Sequence, residues 1–140
     1  EVEDVRVACL LHDIGMIAIR ESVLHKQDKL TQEEYQHVQQ HVEIGANILR
    51  PLSNLGAAVE YVRCHHERLD GTGYPRGLVG DEMPFGAQIV AVAEIYVSLT
   101  EERPYRPARP GAESLKILRK MSSDWYASTI VDALAELVAS

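Results

Sequence analysis

The chain has 140 residues, room for one compact domain but not for two of ordinary size. Hydrophobic residues make up 46% of it, yet no apolar run approaches the roughly twenty residues of a membrane span, and the acidic start Glu1, Glu3, Asp4 is unlike a secretory leader. Fourteen Lys+Arg against 21 Asp+Glu leave a net charge of −7, which excludes broad attraction to DNA, RNA or an anionic membrane. A cytoplasmic protein is expected, and an anionic substrate would need positive charge supplied locally, for which metal ions are the obvious source. Cys9 and Cys64 belong to no C-x-x-C and read as free thiols in apolar helical surroundings.

The apolar period is helical almost throughout, strand signals are weak, and nothing repeats, so the expected fold is all-α. Val2, Val5, Cys9 and Leu10-Leu11 predict a helix running into His12-Asp13 and stopping by Gly15. Met16 to Leu30 reads as irregular. Thr31 with Glu34 forms a capping box for a second helix, with Tyr35, Val38, Val42, Gly45, Ala46 and Leu49 on its buried side and Pro51 as its stop. Ser53 or Asn54 caps a third helix, Leu55 to about Glu67, with Ala58, Val59 and Val62 inward. A turn-rich stretch, Asp70 to Pro84, leads to a fourth helix whose core stripe is Phe85, Ile89, Val92, Ala93, Tyr96 and Leu99 and whose stop is Pro104. Ala112 to Met121 and Thr129 to Val138 complete the set.

Imidazole and carboxylate hold borderline divalent metals, and the chain concentrates them in His12-Asp13, His41 and His65-His66-Glu67. No Gly-rich phosphate loop or Ser/His/Asp triad competes. At about 100° per residue, His41 stands at the border of the apolar arc of its helix, and His37 lies one step nearer solvent. His37 and His41 also have the i, i+4 spacing of a surface chelate, which is the local alternative. Adjacent imidazoles diverge, so His65 and His66 suit two ions better than one, and Asp13 has one oxygen for each of a bridged pair. Taken singly, each residue has an ordinary explanation. His25 reads as a hydrogen-bonded or solvated loop residue, Asp13 as an acceptor at a helix end and Glu67 as a solvated helix-end acid. The pairs occurring together beside glycine-rich loops favour a metal site.

The runs Leu10-Leu11-His12-Asp13-Ile14-Gly15, Gln40-His41-Val42-Glu43-Ile44-Gly45, His65-His66-Glu67-Arg68-Leu69-Asp70-Gly71-Thr72-Gly73-Tyr74-Pro75 and Arg103-Pro104-Tyr105-Arg106 resemble the HD-GYP family. This is a subset of the HD metal-dependent phosphohydrolases, whose best-known members hydrolyse the bacterial second messenger cyclic di-GMP. The resemblance covers nearly the whole chain, residues 1–140, and implies an HD-type helical bundle. It implies two divalent ions, iron or manganese before zinc, held by His12, Asp13, His41, His65, His66 and Glu94, with Asp13 bridging and central to catalysis. It also implies that Gly73, Tyr74 and Pro75 lie near the nucleotide and contact diguanylate cyclase (GGDEF) domains, and that Arg103 and Arg106 face the substrate phosphates. The implied reaction is phosphodiester hydrolysis by an activated water attacking in line with the departing 3′ oxygen.

The chain also departs from the family pattern. Met16 stands where a lysine is usual, Glu94 where the ligand is an aspartate, Val97 where a further acid is common, and Trp125-Tyr126-Ala127 where Phe-Asp-Pro is typical. The family's upstream helical segment, which carries another histidine toward the metals, is expected to be missing before Glu1. These departures support an alternative, a domain that binds cyclic di-GMP or a partner protein without cleavage. A third reading is hydrolysis of a different cyclic dinucleotide.

Overall fold

The structure, a computed structural model, describes residues 1–103 and 106–140. Its helices are α1 (Val2–Leu11), α2 (Glu21–Leu24), α3 (Gln32–Gln39), α4 (His41–Leu49), α5 (Ala58–Cys64), α6 (Phe85–Thr100), α7 (Gly111–Met121) and α8 (Ser128–Ala139), with single turns of 3-10 helix at Ile14–Ala18 and Gly80–Glu82. Among the described residues β pairing is confined to isolated bridges, and no helix is long and apolar enough to cross a membrane. The expected all-α bundle is what the chain forms.

α5 sits at the centre, packed against α1, α4 and α6, and α6 carries α7 and α8 on its other side. Ala8, Leu49, Ala58, Val62, Ala87, Val90, Ala91, Leu118 and Val131 form one contiguous core through these helices. Burying that apolar area is the main term holding the bundle, at about 25 cal/mol per Å². Gln88 is one of the few buried polar residues. Its side chain, buried in α6, accepts a hydrogen bond from Ala127 N at 3.0 Å and so ties the start of α8 to α6.

Two features of this packing place the candidate metal-ligating residues. The 3-10 turn after His12-Asp13 lies against α4, and a Cβ at Gly15 would overlap the carbonyl of His41 and crowd Gly45 N. Close approach of backbone to backbone is what glycine permits. α1 and α4 each pack on α5, so the ends bearing His12, His41 and His65 converge.

Several local expectations need correction. The helix expected to run unbroken from Thr31 to Pro51 is split at Gln40 into α3 and α4. Its capping box is present as read, with Thr31 Oγ1 accepting from Glu34 N and Glu34 Oε2 accepting from Thr31 N. α5 is shorter than Leu55 to Glu67, and Ala57, not Ser53 or Asn54, occupies its N-cap without a side-chain bond. The stretch from Met16 to Leu30 contains α2 and part of a 3-10 turn. Tyr35 and Phe85, assigned to buried faces, are exposed. Of the expected α6 stripe, Val92 and Leu99 are buried and Ile89 and Tyr96 pack against the core, and the small residues Gly86, Ala87, Val90 and Ala91 join them; Phe85, Ile89, Val92 and Ala93 also line a groove shared with α8. α6 ends at Thr100, and the stop assigned to Pro104 lies outside the described residues, as does Tyr105.

Candidate metal centre

His12 closes α1, His41 opens α4, and His65 and His66 follow the last turn of α5. Three of the four rings are fixed in the same way. His12 Nδ1 lies 2.7 Å from Cys9 O, His41 Nδ1 2.7 Å from Val38 O and His65 Nδ1 2.7 Å from Val62 O. A carbonyl can only accept, so each Nδ1 carries a proton and donates, which leaves Nε2 as the ring nitrogen turned toward the site. The bond to the carbonyl three residues back also holds each ring in one orientation, because that carbonyl lies about one turn behind on the same stretch of chain.

The rings converge. His65 stands 5.2 Å from His12, 5.5 Å from His41 and 4.2 Å from His66, and His41 is 5.1 Å from His66, measured between ring centroids. The ligand atoms fall into two groups, His41, His65, His66 and His12, Asp13, Glu94, with the atoms of each group within 4.8 Å of one another. Asp13 joins them: Oδ2 is 3.3 Å from His12 Nε2 and Oδ1 is 3.5 Å from His41 Nε2. Glu94, near the middle of α6, brings Oε2 to 3.9 Å from His66 Nε2. All six residues singled out as ligands, including the Glu94 that replaces the usual aspartate, therefore face one volume.

The donor set fits a divalent metal. Nε2 of His41 and of His65 is buried without a hydrogen-bond partner, a state that burial penalises unless something accepts the lone pair. Burial pushes the imidazolium of His65 down to about 4, and burial with neighbouring imidazoles pushes His66 to about 2, so both rings are neutral and able to ligate at pH 7. Hydrogen bonding to His12 lowers Asp13 to about 2, and Asp13 in turn raises His12 to about 9. Burial raises the Glu94 carboxyl. The surface-chelate alternative is not formed. His37 Nε2 accepts a hydrogen bond from Arg20 N at 3.2 Å, while His41 is 2% exposed and turns inward.

Glu67 is a correction to the reading as a solvated helix-end acid. It is 0% exposed, and its two oxygens accept from Arg76 N at 2.7 Å and Leu78 N at 2.9 Å. The carboxylate thereby folds the Gly73-Tyr74-Pro75 loop back over His66. Gly73 completes the fold: a Cβ there would stand 2.5 Å from Arg68 N, Glu67 Cα and His66 O. Tyr74 N donates to His66 O at 3.2 Å, and its ring stacks on His66 at 4.9 Å and 16°.

Two cavities open beside Glu94. The larger, about 690 Å³, is walled by His65, His66, Gly73, Tyr74 and Arg106 and reaches Arg68, Trp125 and Tyr126. The smaller, about 370 Å³, holds His12, Asp13, Val97 and Arg103. Pro75 is exposed and lines neither cavity, and Met16 lines neither. The two arginines thus separate, one to each cavity, and the Arg106 guanidinium donates to the Ser98 carbonyl. Sequence reasoning did not single out Arg68 and Trp125. A basic residue directly following His-His-Glu and the sole tryptophan of the chain were the available signals.

The family model described as HD domain matches residues 1–130. The chain is 39% identical over 140 residues to a cyclic di-GMP phosphodiesterase of Thermotoga maritima, covering 97% of this chain and 38% of that protein. It is 41% identical over 138 residues to a cyclic di-GMP phosphodiesterase response regulator of Xanthomonas campestris, covering 96% and 36%. It is 42% identical over 115 residues to a 3′3′-cGAMP-specific phosphodiesterase of Vibrio cholerae, covering 82% and 25%. The chain thus spans little more than a third of the length of the longest-covered of these relatives. A crystal structure of a cyclic GMP-AMP specific phosphodiesterase of V. cholerae superposes with a TM-score of 0.73 at 18% identity over 97% of this chain and 38% of the other, a likeness of fold. With the candidate histidine and aspartate ligands, the His-His-Glu turn and the Gly-Tyr-Pro loop in one place, the chain belongs to the HD domain family, as a domain of the HD-GYP type.

Proposed function

We propose that this domain is a metal-dependent phosphodiesterase that hydrolyses a cyclic dinucleotide, cyclic di-GMP in the first instance, to a linear dinucleotide, a mononucleotide or both. The observation that carries the reading is the position of Asp13, whose two oxygens each approach a histidine of a different ligand group. A carboxylate so placed suits a pair of divalent ions, iron or manganese before zinc, with His12, His41, His65, His66 and Glu94 as the remaining ligands. Bound there, the ions would supply the Lewis acidity that activates water and offsets phosphate charge. Asp13 is the residue on which catalysis depends, because its removal would separate the two halves of the site. Arg103 and Arg106, one in each cavity, are placed to neutralise phosphates on either side of Glu94. Gly73 and Tyr74 would border the nucleotide from the larger cavity, and the exposed Pro75 is the part of that loop free to meet a diguanylate cyclase (GGDEF) domain. The names of the relatives support cyclic di-GMP, and 3′3′-cGAMP after it, as substrate.

A second reading, binding without cleavage, is favoured by one observation. Val97 joins Val90 and Ala93 in an apolar wall of the smaller cavity, beside His12 and Asp13, where an acid could have oriented water. The experiment that separates the two is incubation of manganese-loaded protein with cyclic di-GMP, followed by chromatography. Linear product that disappears in His12→Ala together with bound metal supports hydrolysis. Binding without product, persisting in Met16→Lys, supports the regulatory role.

A further inference from the structure

The larger cavity has two chemically different ends. One is the ligand cluster, with His65, His66 and Glu94; the other is a shelf of Trp125, Tyr126 and Met121 with Arg68 laid against it. The guanidinium carbon of Arg68 stands 3.5 Å from the centroid of the Trp125 ring, so the planar group is held face-on by the indole. Its edge reaches Thr72 Oγ1 at 3.5 Å. Arg63 and Arg76 are tied to Glu43 and Glu60, whereas Arg68 forms no ion pair with a carboxylate among the described residues. It is a charged fork already oriented on a cavity wall and not spent on a carboxylate.

We propose that Arg68, held flat by Trp125, selects guanine over adenine in a cyclic dinucleotide bound in the larger cavity. This rests on the reading above that the substrate is a cyclic dinucleotide. Two requirements lead to it. The scissile phosphate belongs at the metal ligands, so a base joined to that phosphate extends away from them into the cavity. The aromatic and apolar wall of Trp125, Tyr126 and Met121 suits a purine ring and not a phosphate. Within that wall the guanidinium fork is the group that can distinguish purines. Guanine offers two acceptors, O6 and N7, to paired N–H donors, whereas adenine offers N7 beside the donor N6–H₂, which opposes one arm of the fork. Stacking on Trp125 means that little side-chain freedom is lost when the base arrives.

Trp125 is the sole tryptophan of the chain and lies in the proposed contact, so its fluorescence reports on this shelf. The test titrates manganese-loaded protein with phosphorothioate analogues of cyclic di-GMP and cyclic di-AMP, which resist turnover. The expected result is quenching with affinity about 10- to 100-fold higher for the guanine compound, the discrimination of a single bidentate arginine contact. Arg68→Lys, which keeps the charge and loses the fork, should bring that ratio below about threefold with manganese stoichiometry unchanged. An unchanged ratio in Arg68→Lys, or no preference in the wild type while both compounds bind, overturns the role of Arg68 and leaves the cyclic dinucleotide reading standing. Failure of the wild type to bind either compound overturns both. If Arg68→Lys does not fold, the wild type is titrated with the 7-deazaguanine analogue. A weakening of about tenfold supports the contact, and equal affinity overturns it.

Discussion

Glu67 offers the sharpest perturbation of the site without removal of a ligand. Its fully buried carboxylate accepts from two backbone amides, Arg76 N at 2.7 Å and Leu78 N at 2.9 Å. In Glu67→Gln the shape is kept, but one of the two acceptors becomes an NH₂ group that faces a backbone N–H. One charge-assisted bond is lost and its donor stays buried, a change worth about 2–3 kcal/mol. In Glu67→Ala both amides lose their acceptor, for about 3–6 kcal/mol, a large share of the about 5–15 kcal/mol that typically holds a domain. Equilibrium urea unfolding of the metal-free proteins measures both. The glutamine variant should shift the midpoint without changing the slope, and it should retain metal stoichiometry because every ligand remains. A loss below about 0.5 kcal/mol for Glu67→Gln, within the range of an ordinary surface substitution, would refute the assignment of Glu67 as the residue that closes the loop.

Gly15→Ala forces backbone apart between the 3-10 turn and α4, so a loss on the order of 3 kcal/mol is expected in thermal or urea unfolding, together with weaker manganese binding as His41 moves. Retention of wild-type stability and affinity would contradict the close approach. His66→Ala should reduce bound manganese measured by elemental analysis, whereas His37→Ala should leave it unchanged, because His37 is spent on Arg20 N. Thr31→Ala removes the acceptor for Glu34 N and should destabilise by about 1 kcal/mol at neutral pH, read from denaturant midpoints. The Lys26 ion pair holds Glu34 below its usual 4.5. Its contribution is therefore present above that value and lost as pH falls through the lower folded value, so Glu34→Gln should narrow its stability gap to wild type on acidification toward pH 3.

What could be read from sequence was what local chemistry decides. The capping box at Thr31 and Glu34 needs only four residues and was legible as such. The candidate ligands could be proposed from sequence because neighbouring imidazoles and a carboxylate are rarely assembled for packing alone, with His12-Asp13 at a helix end marked by Gly15, His41 at the border of an apolar arc, and Glu94 from the family resemblance. The buried role of Glu67 was not legible, since its partners arrive from Arg76 and Leu78 only when the loop returns. The core face of α6 was read in part: Val92 and Leu99 are buried as expected, but both sides of that helix are apolar, so weight given to the large Phe85 hid the close-packed Gly86, Ala87, Val90 and Ala91 beside them. Arg68 and Trp125 are distant in sequence, and their stacking is a tertiary event with no periodic signature.

The central claim is that Asp13 joins two metal positions. Paramagnetic resonance of the manganese-loaded chain, alongside elemental analysis, tests it directly. Two ions per chain with an exchange-coupled spectrum are predicted, with coupling lost in Asp13→Ala. A single ion, or two ions without magnetic coupling in the wild type, would contradict it.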